Sequence, residues 1–289
     1  MKKVVLTGAF ALVTACSPKA AEVPKSAESV PEAAVAAAEK AAAKVTSVIG
    51  EEVTYKAGDT ELKGYIAYDA SKVEKRPGVL VVHEWWGHNE FTRDRAKQLA
   101  ELGYTALAVD MYGDGKKADH PGDAKKFMME VMGNLDAGVA RFEAALSVLN
   151  SHPSVNPEKT AAIGYCFGGG IVLHMARTDL DIDAVAAFHA GALSTGIEAK
   201  KGDPTKIFVA HGAADPFVKP EAIEAFKKEM DAAEMDYEFV AYEGAKHAFT
   251  NPGATEKGKK FELPLEYQKE ADEQSWEKMK ALFAKAFEG

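Results

Sequence analysis

Cysteine is nearly absent: the 289 residues hold two, Cys16 and Cys166. If Cys16 is used elsewhere, Cys166 has no disulfide partner within a folded domain. Excess positive charge is also missing. Lys and Arg number 35 against 44 Asp and Glu, a net charge of −9. Phosphate binding needs a basic face, so this balance argues against a nucleic-acid partner. No apolar run reaches the roughly 20 residues that span a bilayer; the run Val4–Val13 is too short. There is no internal repeat. What remains, 47% hydrophobic and 27% charged, is enough apolar residue for a core of useful size.

The first residues read as a targeting segment rather than as part of a fold. Lys2 and Lys3 precede the apolar run, which ends in Val13-Thr14-Ala15-Cys16. A basic start, a short apolar stretch and small residues before a cut describe a secretory signal over residues 1–15. A cysteine directly after the cut resembles the lipobox of bacterial lipoproteins, which makes Cys16 the expected lipidated residue. Ordinary cleavage nearby, or an uncut start, is the alternative. Ser17 after Cys16 resembles the pattern for outer-membrane sorting. Residues 16–49 are mostly Ala, Glu, Lys and Pro; their helical stretch, Pro31 to Val45, has little besides alanine to bury. This is a tether. The protein is expected to be exported and lipid-anchored through Cys16, on the periplasmic side or in the outer membrane.

Residues 50–289 alternate strand and helix patterns and form one expected domain. Glu52–Ala57 and Leu62–Tyr68 alternate apolar and polar around AGDTE, an opening hairpin. Gly78–Glu84 is a near-continuous apolar run, as in a strand covered on both faces. Further strands are expected at Tyr104–Met111, Thr160–Cys166, Asp183–Ala190, Lys206–Gly212 and Tyr237–Tyr242. Helices are expected at Thr92–Leu102, Pro121–Asn150 with a break near Gly133-Asn134, Gly169–Arg177, Lys219–Ala233 and Tyr267–Phe287. The fold class is α/β, with a mainly parallel central sheet and helices on both faces. Loops at the C-terminal strand ends then collect the chemistry.

One such loop is Gly164-Tyr165-Cys166-Phe167-Gly168-Gly169. It fits a nucleophile elbow with cysteine in the serine place. Small neighbours allow a strained turn, and the helix N-terminus favours thiolate over thiol. A buried small cysteine between glycines is the plainer reading of this motif alone. Asp215 follows on the loop of HGAADPFV, and His247 follows in EGAKHAF. Nucleophile, acid, histidine is the chain order of the α/β-hydrolase triad. In that arrangement His247 takes the thiol proton and returns it to the leaving group, while Asp215 holds the imidazole tautomer.

HEWWGHNE (His83 to Glu90), DMYGDG (Asp110 to Gly115), GYCFGG, HGAADPFV and YEGAKHAFTNPG (Tyr242 to Gly253) together resemble the dienelactone hydrolase family, over about Val53 to Phe287. The resemblance implies an α/β-hydrolase fold and a Cys-His-Asp triad at Cys166, His247 and Asp215. It implies that Glu84 contacts the resting cysteine and is displaced when substrate activates the thiolate. It also makes the backbone N–H of Trp85 the second oxyanion donor beside Phe167. A carboxylate beside a thiol disfavours thiolate by like-charge repulsion; the alternative is that Glu84 pairs with a cation such as Arg93. Trp86, Tyr112 and Phe249, in the same blocks, are the expected pocket lining, with aromatic core packing an equal reading for Trp86.

The family members that act on dienelactone grip a substrate carboxylate with two arginines. The corresponding stretches here, Tyr112-Gly113-Asp114-Gly115 and His247-Ala248-Phe249-Thr250-Asn251, contain none. Lys116, Lys117 and Lys246 lie nearby but lack the bidentate fork. The expectation is a hydrolase of small esters or lactones working through a cysteinyl acyl-enzyme. No cofactor is expected, and His83, His88 and His120 match no compact metal-ligand spacing. A non-catalytic binding protein on the same fold and a thiol redox protein are the competing readings; the second lacks a resolving cysteine. His189 ends a strand, where it is a candidate for the pocket lining without an assigned role, and His174 reads as a core-edge residue.

Overall fold

The computed structural model describes residues 47–288. The expected signal segment, Cys16 and nearly all of the tether lie outside the described residues. Strands β1 (Val48–Ala57) and β2 (Thr60–Asp69) form the opening hairpin, paired from Val48–Asp69 to Ala57–Thr60. Gly58, at φ +56, occupies the first position of its two-residue turn, the place where glycine is favoured.

The chain continues through β3 (Arg76–Val82), α1 (Glu90–Glu101), β4 (Thr105–Val109), α2 (Pro121–Met132), α3 (Leu135–Ser151), β5 (Val155–Tyr165) and α4 (Phe167–Met175). It closes with β6 (Ala184–Phe188), β7 (Lys206–Gly212), α5 (Pro220–Ala232), β8 (Tyr237–Tyr242), α6 (Ala254–Phe261) and α7 (Lys269–Phe287). The eight strands make one sheet in the order β1-β2-β4-β3-β5-β6-β7-β8. β2 meets both β1 and β4 antiparallel, and every pairing from β4 to β8 is parallel. This is the expected mainly parallel α/β sheet.

Strict alternation along the central strands divides the core into two layers. Leu80, Val82, Leu107, Val109, Val185 and Val209 pack on one face under α3, α4 and α5, where Phe142, Leu149, Ile171 and Phe226 meet them. Val79, Val81, Ala106, Ile163, Phe188 and Phe208 pack on the other, under Leu99 of α1 and Met279 and Phe283 of α7. The break between α2 and α3 falls at Asn134, whose side chain accepts from Ala137 N–H at 3.2 Å and caps α3.

Two elements differ from expectation. Helix α4 starts at Phe167, directly after Cys166, rather than at Gly169. Helix α6 was not visible in the pattern: it buries only Ala254 and Gly258, so it carries no apolar stripe. A Cβ on Gly258 would lie 2.4 Å from the Leu265 carbonyl oxygen. The glycine that weakens the helical signal is what lets the helix lie against the following chain.

Candidate active site

The C-terminal ends of β3 to β8 converge on one end of the sheet, as parallel α/β topology requires. Cys166 sits between β5 and α4 at φ +56, ψ −112, a conformation strained for a residue with a Cβ. The neighbouring glycines make the turn possible. A Cβ on Gly164 would lie 2.0 Å from the Gly168 carbonyl oxygen, and one on Gly168 would lie 2.4 Å from Val82 O. Gly168 N–H donates to His83 O at 3.1 Å, which draws the start of α4 against the end of β3. The Cys166 N–H is shared between Phe188 O at 3.0 Å and His189 Nδ1 at 3.1 Å.

Asp215 lies on the loop after β7 and His247 on the loop after β8. Their side chains meet, His247 Nδ1 to Asp215 Oδ2, at 2.7 Å, and both residues are buried. The other carboxylate oxygen of Asp215 accepts from Phe217 N–H at 2.8 Å, which fixes its orientation. With Nδ1 engaged, Nε2 is the nitrogen left for chemistry. Cys166 lies within electrostatic and hydrogen-bonding reach of the same ring. Burial by itself would lower the pKa of His247. The charge a Cys166 thiolate places beside it, the hydrogen bonds to Asp215 and Cys166 and the charge of Asp215 outweigh it and push the ring up to about 10. The structure thus brings Cys166, His247 and Asp215 together.

Neither the Trp85 nor the Phe167 amide N–H donates to another group among the described residues. Phe167 is the first residue of α4, where amides lack intrahelical partners and the helix dipole is positive. Tyr112 stands beside them, its hydroxyl donating to Trp85 O at 2.9 Å and its ring 5.6 Å from that of Phe167. Its pKa is raised by burial and by the charge of Cys166.

Three expected roles meet a different geometry. Glu84 is buried, and its Oε2 accepts from Asn251 Nδ2 at 2.6 Å; its partner is this amide, not the Cys166 thiol. Nor is it Arg93, which pairs with Glu52 at 2.5 Å. The pKa of Glu84 is raised by burial and drawn back by Lys257, the Asn251 hydrogen bond, His247 and Arg95, in that order. Trp86 is 3% exposed within a satellite cluster of Ala118, Ala248 and Leu265, with Phe261 stacked on it at 6.0 Å. It is a support for α6 rather than an open pocket wall. Phe249 is 0% exposed and belongs to the core layer under α7; the residue after next to His247 turns inward because Ala248 adopts φ +61.

Side chains not singled out by sequence complete the site. Phe217 is half-exposed, its ring edge-on to His247 at 4.9 Å. It is also one wall of a cleft of about 470 Å³ lined by Gly191, Leu193, Val218 and Phe226. Lys257 of α6 holds its ammonium 4.3 Å from the Trp86 ring centroid, close enough to Glu84 for each to perturb the other's charge. Asp215-Pro216-Phe217 was a visible signal, since the residue two past the acid sits on the same tight turn; nothing marked Lys257. Near the site, Lys246 pairs with Glu266 at 2.5 Å and Lys116 with Asp114 at 3.8 Å.

Among the described residues no group of three His, Cys, Asp or Glu is arranged to hold a metal ion. His83 uses both ring nitrogens on backbone, Nδ1 with Glu84 O at 2.6 Å and Nε2 accepting from Met111 N–H at 3.2 Å. His120 caps α2 by accepting from Gly122 N–H.

The sequence model of the dienelactone hydrolase family matches residues 62–287. A protein of Aquifex aeolicus, described as a candidate carboxymethylenebutenolidase, is 29% identical over 208 residues, or 70% of this chain and 88% of that one. The solved structure m3DLH superposes with a TM-score of 0.77 at 35% identity, over 83% of this chain and 99% of that chain. A dienelactone hydrolase-like promiscuous phosphotriesterase from metagenomic libraries superposes at 0.76 and 32% identity over the same shares. The fold is that of the α/β-hydrolases.

Proposed function

The chain belongs to the dienelactone hydrolase family and is a hydrolase of ester or lactone bonds; we propose that it cleaves small substrates through an acyl-enzyme on Cys166. The observation that carries this reading is the placement of His247 between Asp215, at 2.7 Å, and Cys166, with its pKa pushed up to about 10. A ring so placed holds a proton taken from the thiol and keeps the sulfur nucleophilic.

In the first half-reaction the Cys166 sulfur attacks the substrate carbonyl carbon. A C–S bond forms and the carbonyl electron pair moves onto oxygen. The Trp85 and Phe167 amides donate to that oxyanion. Collapse breaks the C–O bond, and the departing alkoxide takes the proton from His247 Nε2. With a lactone, the new alcohol stays attached to the acyl chain.

Acylation removes the charge of Cys166, the foremost of the influences that raise His247. The ring therefore falls toward its ordinary range and can accept a proton from water. That water attacks the thioester, and the sulfur leaves as thiolate. Asp215 holds one tautomer throughout. Phe217 and the 470 Å³ cleft offer an apolar seat for the acyl or leaving group. The anchor belongs to the same reading: lipid on Cys16 tethers the exported domain to a membrane through the residues between Cys16 and β1.

Steady-state hydrolysis of short p-nitrophenyl esters and a lactone panel tests the proposal, with Cys166→Ala and His247→Ala alongside. Turnover that survives in either variant contradicts it.

A further inference from the structure

The geometry points to His189 as a positioning residue that ties the nucleophile's amide to the loop carrying His247, and so fixes the sulfur relative to its base. This rests on Cys166 and His247 being nucleophile and base. His189 follows β6 at φ +39 and is 0% exposed. A non-glycine residue held in that backbone region, fully buried, signals a constraint that the surrounding structure maintains.

The hydrogen bonds fix its chemical state. Nδ1 accepts from the Cys166 N–H at 3.1 Å, so Nδ1 carries no proton. Nε2 therefore bears the only proton and donates to Thr250 Oγ1 at 2.8 Å. Thr250 lies three residues past His247, on the same loop. Its carbonyl accepts from Arg95 Nη2 at 2.7 Å, and that guanidinium pairs with Asp272 at 2.6 Å. The ring also stands edge-on to His247 and to Phe249, each at 5.4 Å. Burial and the charge of His247 hold its pKa well below the ordinary value, in keeping with the neutral tautomer.

Two consequences follow. A protonated ring at this place has no acceptor for the Cys166 amide, and an apolar ring leaves Thr250 Oγ1 without its donor. Phe188 O at 3.0 Å also accepts from that amide, so what the neutral, two-ended imidazole alone supplies is the link from it to Thr250. Being neutral with both nitrogens engaged, it also does not compete with His247 for the thiol proton. His189 acts through Cys166 and His247 and needs no contact with substrate.

The test uses the full chain with His189→Phe, His189→Asn and Thr250→Val. Asparagine tolerates positive φ and restores an acceptor near the Cys166 amide; Thr250→Val removes the other end and keeps the ring. Iodoacetamide labelling of the Cys166 peptide is followed by mass spectrometry across pH, with p-nitrophenyl acetate kinetics and a thermal melt on each variant. A misplaced nucleophile costs about 100-fold in kcat, so His189→Phe is expected to lose that much with KM little changed. Its labelling midpoint should rise by about one pH unit as the imidazolium loosens from the sulfur. Thr250→Val should move both in the same direction by less, and His189→Asn should recover most of the loss. A folded His189→Phe and Thr250→Val with unchanged midpoint and kcat overturn the inference. If His189→Phe does not fold, Thr250→Val decides alone. The labelling midpoint needs no turnover, so failure of the esterase reading itself appears separately, as absent hydrolysis in the unaltered chain.

Discussion

The buried Glu84 carboxylate accepts a hydrogen bond from Asn251 Nδ2 at 2.6 Å, joining the end of β3 to the loop that carries His247. Replacing Asn251 with leucine strands a buried carboxylate. Loss of a partner to such a group costs about 1–3 kcal/mol. The sign with pH is set by Glu84, whose pKa burial already raises. A raised carboxyl contributes stability below its ordinary value and loses it as pH rises through the folded value. Asn251 lowers that value, so its removal deepens the loss at neutral pH. Urea unfolding of Asn251→Leu should show a larger deficit at pH 7 than at pH 4.

Asp215 Oδ2 fixes the His247 tautomer at 2.7 Å. Asp215→Asn reverses the donor pattern at that position and is expected to reduce kcat/KM by about 100-fold or more. The same change should leave peroxide oxidation of Cys166 almost unaltered. A thiol redox protein would show neither the loss nor the contrast, so paired ester and peroxide assays separate the two readings.

The raised His247 makes stability depend on alkaline pH. Its ordinary value is 6.5 and its folded value about 10. A raised base contributes stability that is fully present below about pH 6.5 and is lost as pH rises through about 10. Thermal melts of the unaltered chain should therefore fall between pH 7 and 10, with a shallower fall in His247→Gln.

Gly164→Ala places a Cβ 2.0 Å from the Gly168 carbonyl oxygen. Backbone cannot yield as a flexible side chain does, so a destabilisation of about 3 kcal/mol or more is expected. Chemical denaturation measures it, and turnover should fall with the folded fraction.

Lipid attachment has its own test. Labelled palmitate should enter the unaltered chain expressed in a bacterium that processes lipoproteins, and should be absent from Cys16→Ser. The Cys16→Ser chain should move to the aqueous phase on detergent partition.

Strand and helix order was readable because β3, β4, β6 and β7 are short, mostly apolar runs and helices such as α1 and α5 bury one face only. The elbow was readable because close approach at Gly164 and Gly168 forbids any side chain, which leaves a G-x-C-x-G trace. What sequence did not show depends on direction rather than identity. Phe249 and Trp86 sit in the right segments, yet the turn at Ala248 and the cover of α6 direct them into the interior. The hydrogen bond between Glu84 and Asn251 left no trace in the sequence, since the two lie 167 residues apart. His189 gave no signal because its role lies in two hydrogen bonds to elements distant in sequence.

The central claim is a covalent intermediate on Cys166. Rapid quench of the full chain with p-nitrophenyl acetate, followed by peptide mapping, reads it directly. The account predicts acetyl on the Cys166 peptide of the unaltered protein, appearing before steady state and absent in Cys166→Ala. Nitrophenol release with no acetyl on Cys166, or with acetyl only on another residue, contradicts it.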